Sequence, residues 1–472
     1  MKKDVIQEQI GRNWADNYGM GGIRAVTGFG KTHTAFNYII KPYLEKNPLR
    51  RVVILVHTVS LYNQWTEQLK KFDSKLQSNI AIYTIQYLQM NDAEFETSLL
   101  IVDEIDEFYS PNRMLYWDGT KIKRKHFLWL SATPEHKDNL HFKLFEIAPI
   151  IGEVKEEEAT TYNWITKVEE HVIEVELTED ETVLYDELSS DIHRLMTLFD
   201  YDFPKIQLCL RGGLDKNGNP ARAIDFCTSL ALKFGWKPIY EKHLKNPPTG
   251  FSENDLQIIA DIVSKYSPPK FFSYAKMIFK LIKARQKLLA NSENKFEKIV
   301  EIIKDNTDKK IIVFNEDTEF LTRLYTRLIS INLKVVQYHS GMPTVCIGTE
   351  HGKLNLLSQD NFSKTKDGKL KKYSGAFQRA LAIEHMLDGT ASIILTGKAA
   401  DKGLDIPSLN MGIIGSNTSN QNTYIQRKGR ISRYLQSKDA HLYNIVCTKT
   451  REPEKLKKLT NKIKEFNLEL QL

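Results

Sequence analysis

Short apolar runs alternate with helical patterns in two separate blocks of the chain, and this alternation narrows the available folds more than any other feature. A run such as Val52–Val56 (VVILV) has no polar face. It is stable as a strand only where helices cover both sides of its sheet, which is the setting of parallel strands. In the first block Val52–Val56, Leu99–Glu104 and Phe127–Thr133 read this way, with helical spacing over Leu61–Phe72 between them. In the second block the same reading applies to Ile311–Phe314, Val335–His339, Ile394–Gly397, Gly412–Ser416 and Leu442–Cys447. The fold class is therefore α/β, with two doubly wound parallel-sheet domains. One large sheet built from both blocks is the alternative. A length of 472 residues exceeds one ordinary core and favours two or three domains.

The region between the blocks is different. Gly152–Thr160 is an acidic, polar linker, followed by a helical pattern over Glu179–Phe199 and a turn-rich segment, Gly212–Pro220. Helices interrupted by proline continue to Ala290. From Tyr201 to Ala290 there are 15 Lys and Arg against 7 Asp and Glu, a surplus of 8 that leaves the rest of the chain near neutral within a net +7. A mostly helical, basic inserted domain is expected, as a nucleic-acid-holding surface or as an ordinary solvated face. The expected boundaries are 1–155, 156–288 and 289–472, with a polar insertion near 348–375. Within that insertion Asp367-Gly368 is a hairpin signal, although a disordered loop fits as well.

Composition excludes several classes. No run of about 18 apolar residues occurs, so no membrane span is expected. The amino-terminal MKKDVIQEQIGRNW lacks the apolar core of a secretory signal. Four scattered cysteines without a CxxC pair argue against a thiolate metal site and for a reducing cytoplasm.

Two sites carry chemistry. Ala25-Val26-Thr27-Gly28-Phe29-Gly30-Lys31-Thr32 fits a phosphate loop, with Ala25 in place of the first glycine. Glycines let backbone N–H groups and a helix N-terminus point at phosphate oxygens. Lys31 would reach the β- and γ-phosphates, and Thr32 would hold Mg²⁺. Downstream, Leu99–Val102 runs into Asp103-Glu104, placing two carboxylates at a parallel strand's C-terminal end. Asp103 suits Mg²⁺ and Glu104 suits a general base for water.

With these residues in order, the chain resembles superfamily 2 helicases and translocases. Asp103-Glu104-Ile105-Asp106 resembles their DExD motif. Gln7, with Ile10 and Trp14, resembles the upstream glutamine element that reads adenine. Thr58 through Gln64-Trp65 resembles motif Ia, Ser131-Ala132-Thr133 motif III, and Ile311–Phe314 the start of motif IV. Thr396 with Lys402-Gly403-Leu404-Asp405-Ile406-Pro407 resembles motif V, and Gln426-Arg427-Lys428-Gly429-Arg430-Ile431-Ser432-Arg433 resembles motif VI.

The resemblance implies two RecA-like domains flanking the inserted region, and an ATP- and Mg²⁺-dependent motor. It implies ATP contacts from Gln7, Thr27, Gly28, Phe29, Gly30, Lys31, Thr32, Gly403 and Asp405, with Thr32 and Asp103 at the metal. Lys31, Asp103, Glu104 and Gln426 would act in hydrolysis, with Arg430 and Arg433 as arginine fingers. Thr58, Gln64, Trp65, Thr396 and Lys398 would face a DNA backbone. The form of motifs Ia and V resembles the DNA-directed branch, and the compactness resembles phage UvsW-like branch-migration helicases. The implied partner is DNA at forks, branches or single-strand/duplex junctions, bound by a monomeric cytoplasmic motor. An RNA helicase, a restriction-system motor subunit and an ATP-switched nucleic-acid-binding protein are the alternatives. Either the 367–368 hairpin or the 212–220 turn could be a strand-separating wedge.

Overall fold

The computed structural model describes residues 2–136, 138–210, 268–358, 360–365, 367–397, 406–416, 418, 420–435 and 438–469. These divide into one compact unit made of Met1–Glu176 and Lys295–Leu472, and a second made of Leu177–Asn294.

The first unit holds two sheets. Strands β1 (Met20–Ala25), β2 (Val52–Val56), β3 (Ile80–Thr84), β4 (Phe95–Asp103), β5 (Ile122–Ser131) and β6 (Ile150–Val154) form a six-stranded sheet in the order β3-β2-β4-β5-β1-β6. Every pairing in it is parallel. Its two faces are covered by separate apolar clusters, one around Ile54, Ile101 and Trp65 and one around Leu55, Val102 and Trp129. Coverage of both faces is why these strands read as unbroken apolar runs. This sheet and its helices are the first lobe.

The second lobe repeats the scheme. Strands β7 (Val168–Val175), β8 (Ile311–Phe314) and β9 (Val335–Tyr338) precede four short strands of an insertion, β10 (Val345–Cys346), β11 (Gly348–Glu350), β12 (Lys353–Asn355) and β13 (Lys372–Tyr373). Then come β14 (Ile393–Thr396), β15 (Met411–Ile414) and β16 (Ala440–Cys447), and the lobe's sheet has the order β7-β16-β15-β8-β14-β9. It too is parallel throughout. Two sheets therefore exist, and the single-sheet alternative is excluded among the described residues.

Of the main-sheet strands absent from the sequence reading, β3, β6 and β7 lie at sheet edges, whereas β1 lies inside the first sheet. β7 falls in the stretch given to the inserted domain, yet pairs with β16 over its full length. Its sequence VEEHVIEV is too polar to read as a buried strand, because an edge strand needs only partial cover. In the insertion, Lys364 bridges Leu370 and the Thr365 N–H donates to the Lys369 carbonyl at 2.7 Å, so the Asp367-Gly368 segment is a hairpin. Gly368 takes φ 77°, which only glycine adopts freely.

The second unit is helical where described. Helix Glu179–Thr197 opens on a capping box in which Thr178 and Glu181 bond each other's backbone. Helices Phe203–Leu210 and Pro268–Ala290 complete a small core of Leu195, Phe199, Ile206, Phe271, Ala275 and Ile278. Phe271 is thus a core residue. The 212–220 turn lies outside the described residues.

Candidate active site

β1 delivers the chain into the phosphate loop, and two glycines shape the turn. Gly28 and Gly30 have φ of 92° and 95°, a left-handed backbone that a side chain would strain. The loop ends where Lys31 opens a helix (Lys31–Thr34) that continues through a π-helical turn, Ala35–Ile40. Lys31 Nζ donates to the Ala25 carbonyl at 2.9 Å, which holds the ammonium over the loop's hollow. Phe29 gives the loop its carbonyl rather than its ring. The ring is fully buried in the core, and the carbonyl accepts from Gln7 Nε2 at 3.2 Å. Gln7 is therefore a brace for the loop in this structure. Lys3 adds a second brace, donating to the Gly28 carbonyl at 3.3 Å.

β4 ends at Asp103, whose carboxylate accepts the Trp65 indole N–H at 2.7 Å and the Glu104 N–H at 3.1 Å. Burial, then the adjacent Glu104 carboxylate, push Asp103 up to about 7, against the Trp65 hydrogen bond and the Lys31 charge. A buried carboxyl in this state gains by meeting a cation. Glu104 has φ 53° and ψ 60°, a conformation rare for a residue with a side chain, and it turns the chain sharply into the cleft. Two residues on, Asp106 accepts from Ser131 Oγ at 2.7 Å and from Asn422 Nδ2 of the second lobe at 3.3 Å.

The second lobe contributes helix Gln421–Ile431, capped by the Asn420 side chain. Gln426 and Arg430 stand one turn apart on the face toward the loop. Gly429 shows how close the two lobes come: a Cβ there would sit 2.6 Å from Thr27 Cβ. The Arg433 stem passes over the loop as well, 3.7 Å from the position of a Cβ on Gly28. Burial lowers the Arg433 pKa to about 10. Arg427 points elsewhere. It is fully buried, pairs with Glu316 at 3.5 Å, donates to the Ser416 carbonyl and lies over Phe314. Lys428 pairs with Glu156 of the linker at 2.6 Å and with Glu170 of β7 at 2.8 Å.

Thr27, Gly28, Gly30, Lys31, Thr32, Asp103, Glu104, Gln426, Arg430 and Arg433 all line one cleft of about 680 Å³. That volume suits a nucleotide. Four cations (Lys3, Lys31, Arg430 and Arg433) face two carboxylates in it, a balance that favours a polyanion carrying a divalent ion. The donor set thus fits ATP with Mg²⁺ held at Thr32 and Asp103. Gly403 and Asp405 lie outside the described residues, although Pro407 beside them lines the cleft.

Of the five residues expected to face DNA, four are described. Trp65 is fully buried and bound to Asp103, and Gln64 lines the nucleotide cleft. Both point inward because helix Val59–Lys70 presents Leu61, Gln64, Trp65 and Gln68 on one face. Thr58 caps that helix by accepting the Leu61 N–H at 3.2 Å. Thr396 is fully buried, its hydroxyl donating to the Gly397 carbonyl at 3.0 Å. Lys398 lies outside the described residues.

Sequence reasoning missed residues that join the lobes. Trp164 lines the cleft, packs on Phe29 with ring centres 5.6 Å apart and stacks on Tyr162. Ile165 bridges Arg433, and the Thr166 N–H donates to the Ser432 carbonyl at 2.7 Å. The available signal was a Tyr-Asn-Trp cluster directly after an acidic linker.

Residues 2–136 match the family described as type III restriction enzyme, res subunit, and residues 356–435 match the helicase conserved C-terminal domain. A DNA 3'-5' translocase XPB2 of Sulfurisphaera tokodaii is 24% identical over 458 residues, covering 90% of this chain and 77% of that protein. The Pyrococcus furiosus Hef helicase domain aligns over 96% of this chain and 98% of its own, at 16% identity and a TM-score of 0.47. No helix among the described residues is long and apolar enough to cross a membrane. The two matches fall one on each lobe, and residues of both lobes line the same cleft; together they support an ATP-driven DNA helicase.

Proposed function

We propose that the chain is a DNA translocase that couples ATP hydrolysis in this cleft to strand separation or branch migration at forked or branched DNA. The observation that carries the reading is the closure of motif VI onto the phosphate loop, with Gly429 against Thr27 and Arg430 and Arg433 in the same cleft as Lys31. A site divided between lobes changes its own geometry with nucleotide state, which is what directed stepping requires. The 24% identity to a DNA 3'-5' translocase supports DNA as the track and 3'-to-5' as the direction.

In this reading the loop N–H groups and Lys31 bind the β- and γ-phosphates. Glu104 accepts a proton from the attacking water, and Arg430 and Arg433 neutralise charge on the transferring phosphoryl group. Thr32 and Asp103 would hold Mg²⁺, which would supply positive charge to the phosphate oxygens. Gln426 and Asn422 carry the state of the cleft between lobes, the latter through Asp106 and Ser131. The basic hairpin around Asp367-Gly368 is the candidate wedge.

The test is ATP turnover with forks, four-way junctions, plain duplex and RNA, alongside unwinding on each. DNA should stimulate turnover, forked or branched DNA most of all, and Lys31→Ala and Glu104→Gln should abolish it. Stimulation by RNA and not by DNA would overturn the proposal. The match of residues 2–136 to a restriction-enzyme subunit favours a second reading, a motor subunit that acts beside a nuclease. An obligate nuclease partner co-purifying with the chain would select it.

A further inference from the structure

On the edge of the second lobe's sheet, away from the nucleotide-lining residues, β7 and β16 bring three metal-ligating side chains together. Glu169 and His171 are two apart on β7 and so share one face, and Glu169 is the direct cross-strand partner of His441 on β16. His171 Nε2 and His441 Nδ1 are 3.1 Å apart, and Glu169 Oε2 is 3.6 Å from His441 Nδ1. The three ligand atoms all lie within 4.8 Å of one another. Two nitrogens each about 2.1 Å from one tetrahedral ion stand about 3.4 Å apart, so the site needs only a few tenths of an ångström of adjustment.

The tautomer is also set. His441 Nε2 is 2.7 Å from Asp439 Oδ2. A carboxylate can only accept, so Nε2 carries the hydrogen and the neutral ring's lone pair is on Nδ1, aimed at His171 and Glu169. A carboxylate behind a histidine ligand is the usual outer partner of a bound metal. His171 is held by stacking on Tyr443, with ring centres 4.7 Å apart and planes at 20°. Both histidines are partly sheltered, and both stand on paired strands rather than loops. Rigid elements are what a metal site needs.

We propose that Glu169, His171 and His441 form a binding site for a divalent transition ion of the zinc class, oriented by Asp439. Imidazole and carboxylate suit Zn²⁺, Co²⁺ and Ni²⁺ and discriminate against Mg²⁺. The ion replaces the single hydrogen shared by His171 Nε2 and His441 Nδ1, which moves to His171 Nδ1. It clips β7, the edge strand that follows the linker, to β16. Its role is structural or regulatory and independent of the nucleotide cleft.

The experiment titrates Zn²⁺ into the full chain without nucleotide, by calorimetry and thermal melting. One equivalent should bind and raise the melting temperature, and His171→Asn with His441→Gln should weaken binding at least tenfold while leaving the circular dichroism spectrum unchanged. Equal binding by wild type and variant, or none by wild type, would overturn the proposal. Zn²⁺ protection of the wild-type histidines from diethyl pyrocarbonate keeps the test independent of the variant's folding. His171 and His441 should both be shielded, and modification at the same rate with and without Zn²⁺ would equally overturn it.

Discussion

The two halves of the cleft are built in different ways. The first lobe supplies its half mostly with backbone: Gly28, Gly30 and Glu104 all take positive φ, and a carbonyl of the loop is braced by each of Gln7 and Lys3. The second lobe supplies its half with side chains from one regular helix, Gln421–Ile431, and from Arg433 just beyond it. Backbone geometry fixed within one lobe persists whether or not the lobes meet. Side chains on a rigid helix act only when the helix is carried into place. Under the proposed function, the first half would stand as a receptor for phosphate and the second would be carried in to complete the site.

Four variants can break this contrast. The largest effect belongs to Lys31→Ala, which removes the charge at the loop. ATP binding and turnover should both fall, turnover by at least about 10³-fold, read by steady-state kinetics and nucleotide titration. Arg430→Ala should lower turnover by about 10³-fold while nucleotide affinity changes far less. Equal losses in affinity would mean that Arg430 belongs to the standing receptor.

Gly429→Ala tests the approach of the lobes without touching a charge. The added methyl would meet Thr27 at 2.6 Å, so the helix must back away from the loop. Turnover should drop by roughly 10- to 100-fold, since a 1 Å misplacement costs about 10²-fold. A stopped-flow comparison of binding and hydrolysis separates this from weakened affinity.

Lys438 gives the smallest and most specific effect. Burial and the nearby Arg433 charge lower its pKa from 10.5 to about 8, while its ammonium donates to the Arg433 carbonyl at 2.9 Å. Between those two values the unfolded chain holds a proton that the folded chain has released, so stability rises with pH across that window. Below about 8 the folded protein bears the full cost of the buried charge. Lys438→Gln should remove the rise, as measured by denaturant midpoints against pH.

Neighbouring residues show what the sequence could and could not reveal. Arg427 lies between Gln426 and Arg430 in the sequence, yet it turns away to Glu316 and Ser416 while those two line the cleft. Helical phase separates them, and phase needs the helix's placement against its sheet. Trp65 makes the same point. Its resemblance to motif Ia implied a nucleic-acid contact, whereas its indole is buried and bound to Asp103. The insertion hairpin went the other way, because Asp-Gly carries its turn geometry locally.

Periodicity and local chemistry alone determined the α/β class, the two blocks, the phosphate loop and the acidic pair at the end of β4. These depend on residues near one another in the chain, where apolar runs and glycines act directly on the backbone. Tertiary structure alone decided that β7 joins the second sheet, that Gly429 touches Thr27, and that Glu169 and His171 meet His441 across the β7–β16 pairing. Each of those contacts joins residues from distant parts of the chain. Only the packing of whole lobes and strands brings such residues within bonding distance.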